Sequence, residues 1–426
     1  MSAAATHIPA EQVSYADLYG RWERGNWRAT EIDLTEDRRQ WHEEFTEFER
    51  TAALWNYSLF FWGEDAVADN LSPYIDAAPL EEQKYFLATQ QVDEARHAVF
   101  FKRFMHEVCD IGDGTMAASL EGIRPQLTPG FKRIFARLDR MADELRADHS
   151  APKLAAAATL YHILIEASLA QPGQHMISSY LERRNVLPGL RDGMAKIAAD
   201  EQRHIAFGVR LLYDLQQSDD SCRYAVARIL REVMPWTGQV LQPPGWDERY
   251  LTVFGVNYED VGEEGALSLE TKLRSAGLPI EDLPGPPIML SDMTARERSR
   301  RGHALARAGI LGDRDGPSLR DPETVALLFD TVRRSIDPRH RLKGPTTLQW
   351  LFTDADVGPW YLQIDNGSTS ASPGIAPKAD VKFRISYQDW VDIIGARLEV
   401  RRALLTRRMR LRGRPSVLRQ MQHLFR

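Results

Sequence analysis

The pentad Asp93-Glu94-Ala95-Arg96-His97 returns as Asp200-Glu201-Gln202-Arg203-His204. Each copy contains Glu-x-x-His, which on a helix sets a carboxylate and an imidazole one turn apart on one face. Such a pair is half of a metal site, and oxygen with imidazole nitrogen suits iron and manganese rather than a soft ion. One Glu-x-x-His carries little weight in a chain with 11 His and 60 acidic residues. Two copies in the same frame, far enough apart for separate long helices, argue against two merely solvated faces. They fit a bundle in which two helices give Glu-x-x-His, two others give one Glu apiece, and a pair of metal ions lies between them.

The two bare carboxylates should come from the helix preceding each pentad. Glu166 interrupts the apolar run Leu160–Ala170, where an unpaired charge is costly and a metal ion gives it a reason. Glu64, within Phe60–Val67, is the choice for the other. Asp65 competes with it, since adjacent helical side chains point about 100° apart and only one can face the bundle centre. The expected ligands are Glu64, Glu94, His97, Glu166, Glu201 and His204, holding two metal ions, Mn/Fe or Fe/Fe. His162 and His175 have no Glu three residues upstream and are not expected as ligands. Asp93 and Asp200 can orient the imidazoles or form surface ion pairs.

Helical periodicity fills residues 34–108, with Pro73 and Pro79 separating a helix that ends near Tyr74 from one running from Leu80 past His97. Further helices are expected over Pro129–Asp148, from Pro152 through Glu166 to Pro172-Gly173, and from Leu187-Pro188 to Leu215. No strand is expected before about residue 345. Residues 291–316 are polar, basic and Gly-containing, a linker. Beyond them Trp360, Leu362 and Ile364 alternate into the turn signal Asp365-Asn366-Gly367; Phe383 and Ile385 alternate, as do Met409 and Leu411. Short helices fit Tyr387–Gly395, Glu399–Leu405 and Pro415–Phe425. The expected architecture is an all-α helical bundle over 1–290, a linker over 291–316 and a small α+β domain over 317–426.

A chain of 426 residues exceeds one ordinary core. Its 43% hydrophobic and 27% charged residues belong to a soluble globular protein, and a net charge of −6 argues against nucleic acid as the main partner. Residues 401–426 nevertheless hold nine Arg and no acid. Cys109 and Cys222 stand alone, which fits a reducing compartment and excludes a thiolate metal site. Met1–Gln12 has neither a basic nor an apolar signal region, so a cytoplasmic location is expected.

Residues 1 to about 285 resemble the small subunit of ribonucleotide reductase, a ferritin-like bundle; Asn26–Leu34 with Asp37 and Trp41 is similar to that superfamily's N-terminal stretch. Within it the chain most resembles the ligand-binding oxidases, which carry a manganese–iron centre and a bound long-chain fatty acid. Their helix motif Gly-Glu-Glu-Ala-Val reads here Gly63-Glu64-Asp65-Ala66-Val67, with Asp65 a small departure. In those proteins a valine three residues after the Glu is joined by an ether link to a tyrosine five residues before the third carboxylate. The resemblance assigns those roles to Val67 and Tyr161. Radical-bearing reductase subunits usually place a Tyr where this chain has Phe101, though some manganese–iron subunits also carry Phe there. They also end in a flexible tail, where this chain has a basic domain.

Residues 318–426 resemble the sterol carrier protein type 2 domain, a five-stranded sheet with helices enclosing an apolar lipid tunnel. The matching stretches are Trp360–Gly367, Ala379–Ser386, Asp389–Gly395 and Met409–Gly413. Together the resemblances imply an O₂-dependent dimetal oxidase acting on a fatty acid or other hydrophobic molecule. A homodimer, a separate electron donor and transient membrane contact go with that expectation. The alternatives are a non-catalytic lipid carrier with a structural dimetal site, or a ribonucleotide reductase small subunit.

Overall fold

A computed structural model describes residues 10–312, 316–336, 344–365 and 368–421, with side chains placed as far as Leu418. Two compact units emerge, Met1–Arg300 and Arg301–Arg426. The first is helical. Its elements are α1 (Tyr15–Arg24), α2 (Thr35–Glu43), α3 (Glu47–Asn70), α4 (Ser72–Ala77), α5 (Glu81–Glu107), α6 (Met116–Ile123), α7 (Pro129–Ala147), α8 (Ala151–Ala158), a π-helical segment (Thr159–Ala170), α9 (Gln171–Arg184), α10 (Pro188–Ser218), α11 (Cys222–Thr237), α12 (Arg249–Val253) and α13 (Tyr258–Ser275). A helix α14 (Ala295–Arg307) occupies part of the stretch read as a linker.

Local chemistry fixes the starts of the site-bearing helices. Thr46 and Glu49 form a reciprocal cap on α3. The Gln83 side chain accepts the free Leu80 N–H at the start of α5. The first amides of α10 are capped from a distance: Asp37, fully buried on α2, accepts from Gly189 at 2.8 Å and Leu190 at 2.7 Å.

Two boundaries differ from expectation. The first long helix stops at Asn70, and Pro73 lies in the opening turn of a separate short helix α4, where its missing N–H is harmless. Pro172-Gly173 does not end its helix: the run continues from Ala151 to Arg184 through the π segment. Gly173 is needed there, because a Cβ would lie 2.9 Å from Phe60 Cζ. This 34-residue run is long and apolar enough to cross a membrane, but 83% of its most apolar window is buried inside the unit.

The second unit contains α15 (Pro322–Arg334), β1 (Thr346–Phe352), β2 (Trp360–Asp365), β3 (Ser368–Pro373), β4 (Val381–Ile385), α16 (Tyr387–Ile394), α17 (Val400–Leu405), β5 (Met409–Gly413) and α18 (Pro415–Met421). The strand order is β3-β2-β1-β4-β5, antiparallel except for the β1–β4 pair. β1 and β3 are strands that the alternation did not single out. Asn366, Gly367 and the expected helical residues after Met421 lie outside the described residues. One sheet face buries Leu348, Trp350, Leu362, Ile364, Val381 and Phe383. On it Phe329 of α15 stacks against Trp360 at 4.7 Å and Trp390 of α16 at 4.5 Å. On the other face Lys382 lies opposite Arg412 and Arg384 opposite Arg410, all four exposed.

Candidate metal centre

Four elements of the first unit converge on one buried cluster. α3 brings Glu64, α5 brings Glu94 and His97, the π segment brings Glu166, and α10 brings Glu201 and His204. All six residues are at most 6% exposed. Glu64, Glu94, His97 and Glu201 offer ligand atoms within 4.8 Å of one another, and so do Glu94, Glu166 and His204. Glu94 belongs to both groups, so its two oxygens can serve two ions. Asp65 is only half-buried and stands outside the cluster. His175 is exposed and faces Glu264 at 3.3 Å.

Each imidazole turns Nδ1 into the cluster. His97 Nδ1 lies 3.1 Å from Glu64 and 3.6 Å from Glu201; His204 Nδ1 lies 3.0 Å from Glu94 and 3.7 Å from Glu166. Behind them the pentads cross over. His97 Nε2 meets Asp200 at 3.0 Å, and His204 Nε2 meets Asp93 at 3.0 Å, so each pentad's aspartate holds the other pentad's histidine. The carboxylates favour the Nε2–H tautomer, leaving the Nδ1 lone pair for a metal. Arg96 and Arg203 each contact both aspartates, while Trp22 Nε1 donates to Asp93 and Trp27 Nε1 to Asp200, both at 2.9 Å.

The π winding brings Tyr161 toward Glu166. Residues five apart are about 140° apart on an α-helix and come much closer to one face when hydrogen bonds run i→i+5. The Ser168 hydroxyl donating to the Ile163 carbonyl follows that spacing. Tyr161 donates to Glu94 at 2.6 Å. Gln90, one turn before Glu94, donates to Tyr161 at 2.8 Å and to Glu166 at 3.0 Å, and its carbonyl oxygen faces His162 Nε2 at 3.2 Å. Burial pushes His162 down to about 3, so it is neutral. The i, i+4 spacing of Gln90 and Glu94 was available in the sequence, but nothing marked the amide as special.

Electrostatics test whether metal ions fit. Burial raises the Glu64 carboxyl to about 7, and burial plus neighbouring carboxylates pushes Glu166 and Glu201 well above their ordinary range. Burial also acts on Glu94, but His204 and His97 outweigh it and hold that carboxyl low. Burial opposes charge on His97 and His204, yet the surrounding carboxylates drive both well above the usual imidazole value. The cluster therefore calls for positive charge. Glu166 Oε2 and His204 Nδ1 are buried without a hydrogen-bond partner; the short His204–Glu94 approach lacks hydrogen-bond geometry. Four carboxylates balance two divalent cations, and the donor set suits iron or manganese.

A pocket opens against the cluster. Leu59, Phe60, Phe131, Phe135 and Ile165 give it apolar walls, and Val67, Tyr161 and four of the six expected ligands face it.

Residues 5–235, more than half of the chain, match the family model of the ribonucleotide reductase small chain, and residues 337–426 match the SCP-2 sterol transfer family. Among solved structures, an R2-like ligand-binding oxidase from Sulfolobus acidocaldarius is 25% identical, covering 67% of this chain and 93% of its own, with a TM-score of 0.52. A valine-to-isoleucine variant of an R2-like ligand-binding oxidase with an aerobically reconstituted Mn/Fe cofactor shares the fold at 23% identity, covering 62% of this chain and 94% of its own, with a TM-score of 0.53. With its buried carboxylate–histidine cluster and a sterol-carrier-like domain after it, this chain belongs to the ribonucleotide reductase small-chain family.

Proposed function

We propose that the protein is an O₂-dependent oxidase with a dinuclear Mn/Fe or Fe/Fe centre, acting on a fatty acid or similarly hydrophobic molecule. The observation that carries this reading is the opening of the carboxylate–histidine cluster directly onto an apolar pocket. Glu64, Glu94, His97, Glu166, Glu201 and His204 would hold the ions, which when bound supply redox chemistry toward O₂. The chain's own residues do the rest. Asp93 and Asp200 fix the imidazole tautomers, Gln90 and Tyr161 orient Glu94 and Glu166, and the aromatic walls exclude water. The apolar walls beside the cluster suit a hydrophobic ligand, which supports the lipid reading. The SCP-2-like domain supports the same reading by its lipid-handling family. A homodimer, an external electron donor and a cytoplasmic setting complete it; Cys109 and Cys222 are both free thiols.

Val67 and Tyr161 line the same pocket as Glu64 and Glu166. Oxidation would remove the Val67 Cβ hydrogen and the Tyr161 phenolic hydrogen, close a C–O bond and pass two electrons to O₂. Two measurements test the function. Reduced, metal-loaded protein should consume O₂, faster with added fatty acid. Tryptic peptides of air-exposed protein should show Val67 and Tyr161 linked with loss of two hydrogens, and Tyr161→Phe should abolish the link. No O₂ uptake by fully loaded protein would leave a lipid carrier with a structural metal site.

A further inference from the structure

Among the described residues the pocket wall is apolar except in two places. One is the ligand cluster with Tyr161; the other is Gln174 on α9. Gln174 is 6% exposed, and its side chain has no hydrogen-bond partner among the described residues. It shares the wall with Leu169, Ala170, Val240 and Leu241. Its amide atoms are not fully enclosed and open on the pocket, where a leucine of similar size would leave no polar group to satisfy once water is expelled. The residue type therefore asks for a ligand.

Position and charge narrow the ligand. Glu166 and Gln174 lie on one continuous helical run, at most about 12 Å apart along its axis at 1.5 Å per residue. A molecule with one end at the carboxylate cluster would pass Gln174 partway along its length. Among the described residues no Lys, Arg or His lines the pocket, so an anionic group would meet no counter-charge beside Gln174. A primary amide both donates and accepts, and thus serves a hydroxyl or a carbonyl.

We propose that Gln174 is a specificity-determining residue, its amide hydrogen-bonding a neutral oxygen function carried mid-chain by an acyl ligand. The proposal rests on the lipid-oxidase reading and names its substrate class: hydroxy- or oxo-acyl chains rather than plain ones. A plain chain would expel water from the amide and leave it unpaired, which is how a polar site rejects an analogue lacking the matching group.

The test is equilibrium dialysis of the metal-loaded full chain against oleate and ricinoleate, which differ by one mid-chain hydroxyl. Ricinoleate should bind roughly tenfold tighter, the worth of one good buried hydrogen bond. Gln174→Leu should lose that preference while still binding oleate. Equal affinity of the unaltered chain for both acids would overturn the proposal and leave the lipid reading standing. Binding of neither acid would overturn both, and a Gln174→Leu variant that kept the preference would overturn the role of Gln174 alone.

Discussion

The crossed pentads predict a crossed defect. Asp93 contacts Trp22 at 2.9 Å, His204 at 3.0 Å, Arg203 at 3.2 Å and Arg96; Asp200 contacts Trp27, His97 and both arginines. The aspartates are 1% exposed, and the arginine side chains 9%. Asp93→Asn keeps the shape but leaves two buried guanidiniums facing one carboxylate. Removing one partner of a buried charge network costs about 3–5 kcal/mol, so the metal-free variant should melt well below the parent. The metal effect should be local. Losing the carboxylate behind an imidazole costs roughly 10–100-fold in metal affinity, or about 1.4–2.8 kcal/mol. Because Asp93 holds His204, Asp93→Asn should weaken the ion bound by His204; Asp200→Asn should weaken the one bound by His97. Anomalous diffraction at the manganese and iron edges, combined with chelator competition, reads the two positions separately. If Asp93→Asn depleted the His97 ion instead, or neither variant changed affinity, the crossed arrangement would be refuted.

Glu94→Ala and His204→Ala should each lower metal content sharply by elemental analysis, since Glu94 belongs to both donor groups; full occupancy in both would sink the ligand assignment. Gly208→Ala should lower the melting temperature, because a Cβ there would lie 2.1 Å from His162 Cβ and overpacking costs about 1–3 kcal/mol; an unchanged melt would show that the π segment yields easily. Burial acts against ionisation of Asp330, but Arg333, Arg334 and Arg301 outweigh it and hold the carboxyl below its ordinary value. Its stabilisation is therefore present above the unfolded carboxyl value near pH 4 and is lost as pH falls through the lower folded one, by about 1 kcal/mol for this partly exposed cluster. Asp330→Asn should flatten that acid limb in circular-dichroism melts. Fragments 1–290 and 317–426 should each fold cooperatively, the first binding metal and the second lipid; insoluble halves would place the boundary elsewhere.

The carboxylate–histidine cluster was legible because its chemistry repeats within five letters and because Glu166 interrupts an apolar run where an unpaired charge is costly. The crossing of Asp93 to His204 and Asp200 to His97 was not, since it depends on how α5 and α10 face each other. The π winding was equally hidden. It coincides with the approach of His162 to Gly208, a tertiary contact with no local signature. Pro172 misled for a related reason: the irregular turn before it accommodates a ring that a regular helix would reject. In the sheet, β2, β4 and β5 announced themselves by alternation. β3, Ser368–Pro373, is mostly small and polar, and its pairing with β2 makes it a strand.

The like-charged pairs on β4 and β5 have a consequence for how the molecule behaves in a crowded solution. Opposed cations weaken strand pairing by a few tenths of a kcal/mol each. Among the described residues β5, however, is the outermost strand on its side of the sheet, and an unpaired edge of that kind recruits strands from other molecules. Arg410 and Arg412 make any approaching copy of the same edge meet its own charge. The protection is electrostatic, so it fades as ionic strength rises and the Debye length shrinks to about 8 Å near 0.15 M salt. Self-association of this chain should therefore grow with salt, the opposite of what a protein held together by surface ion pairs would do.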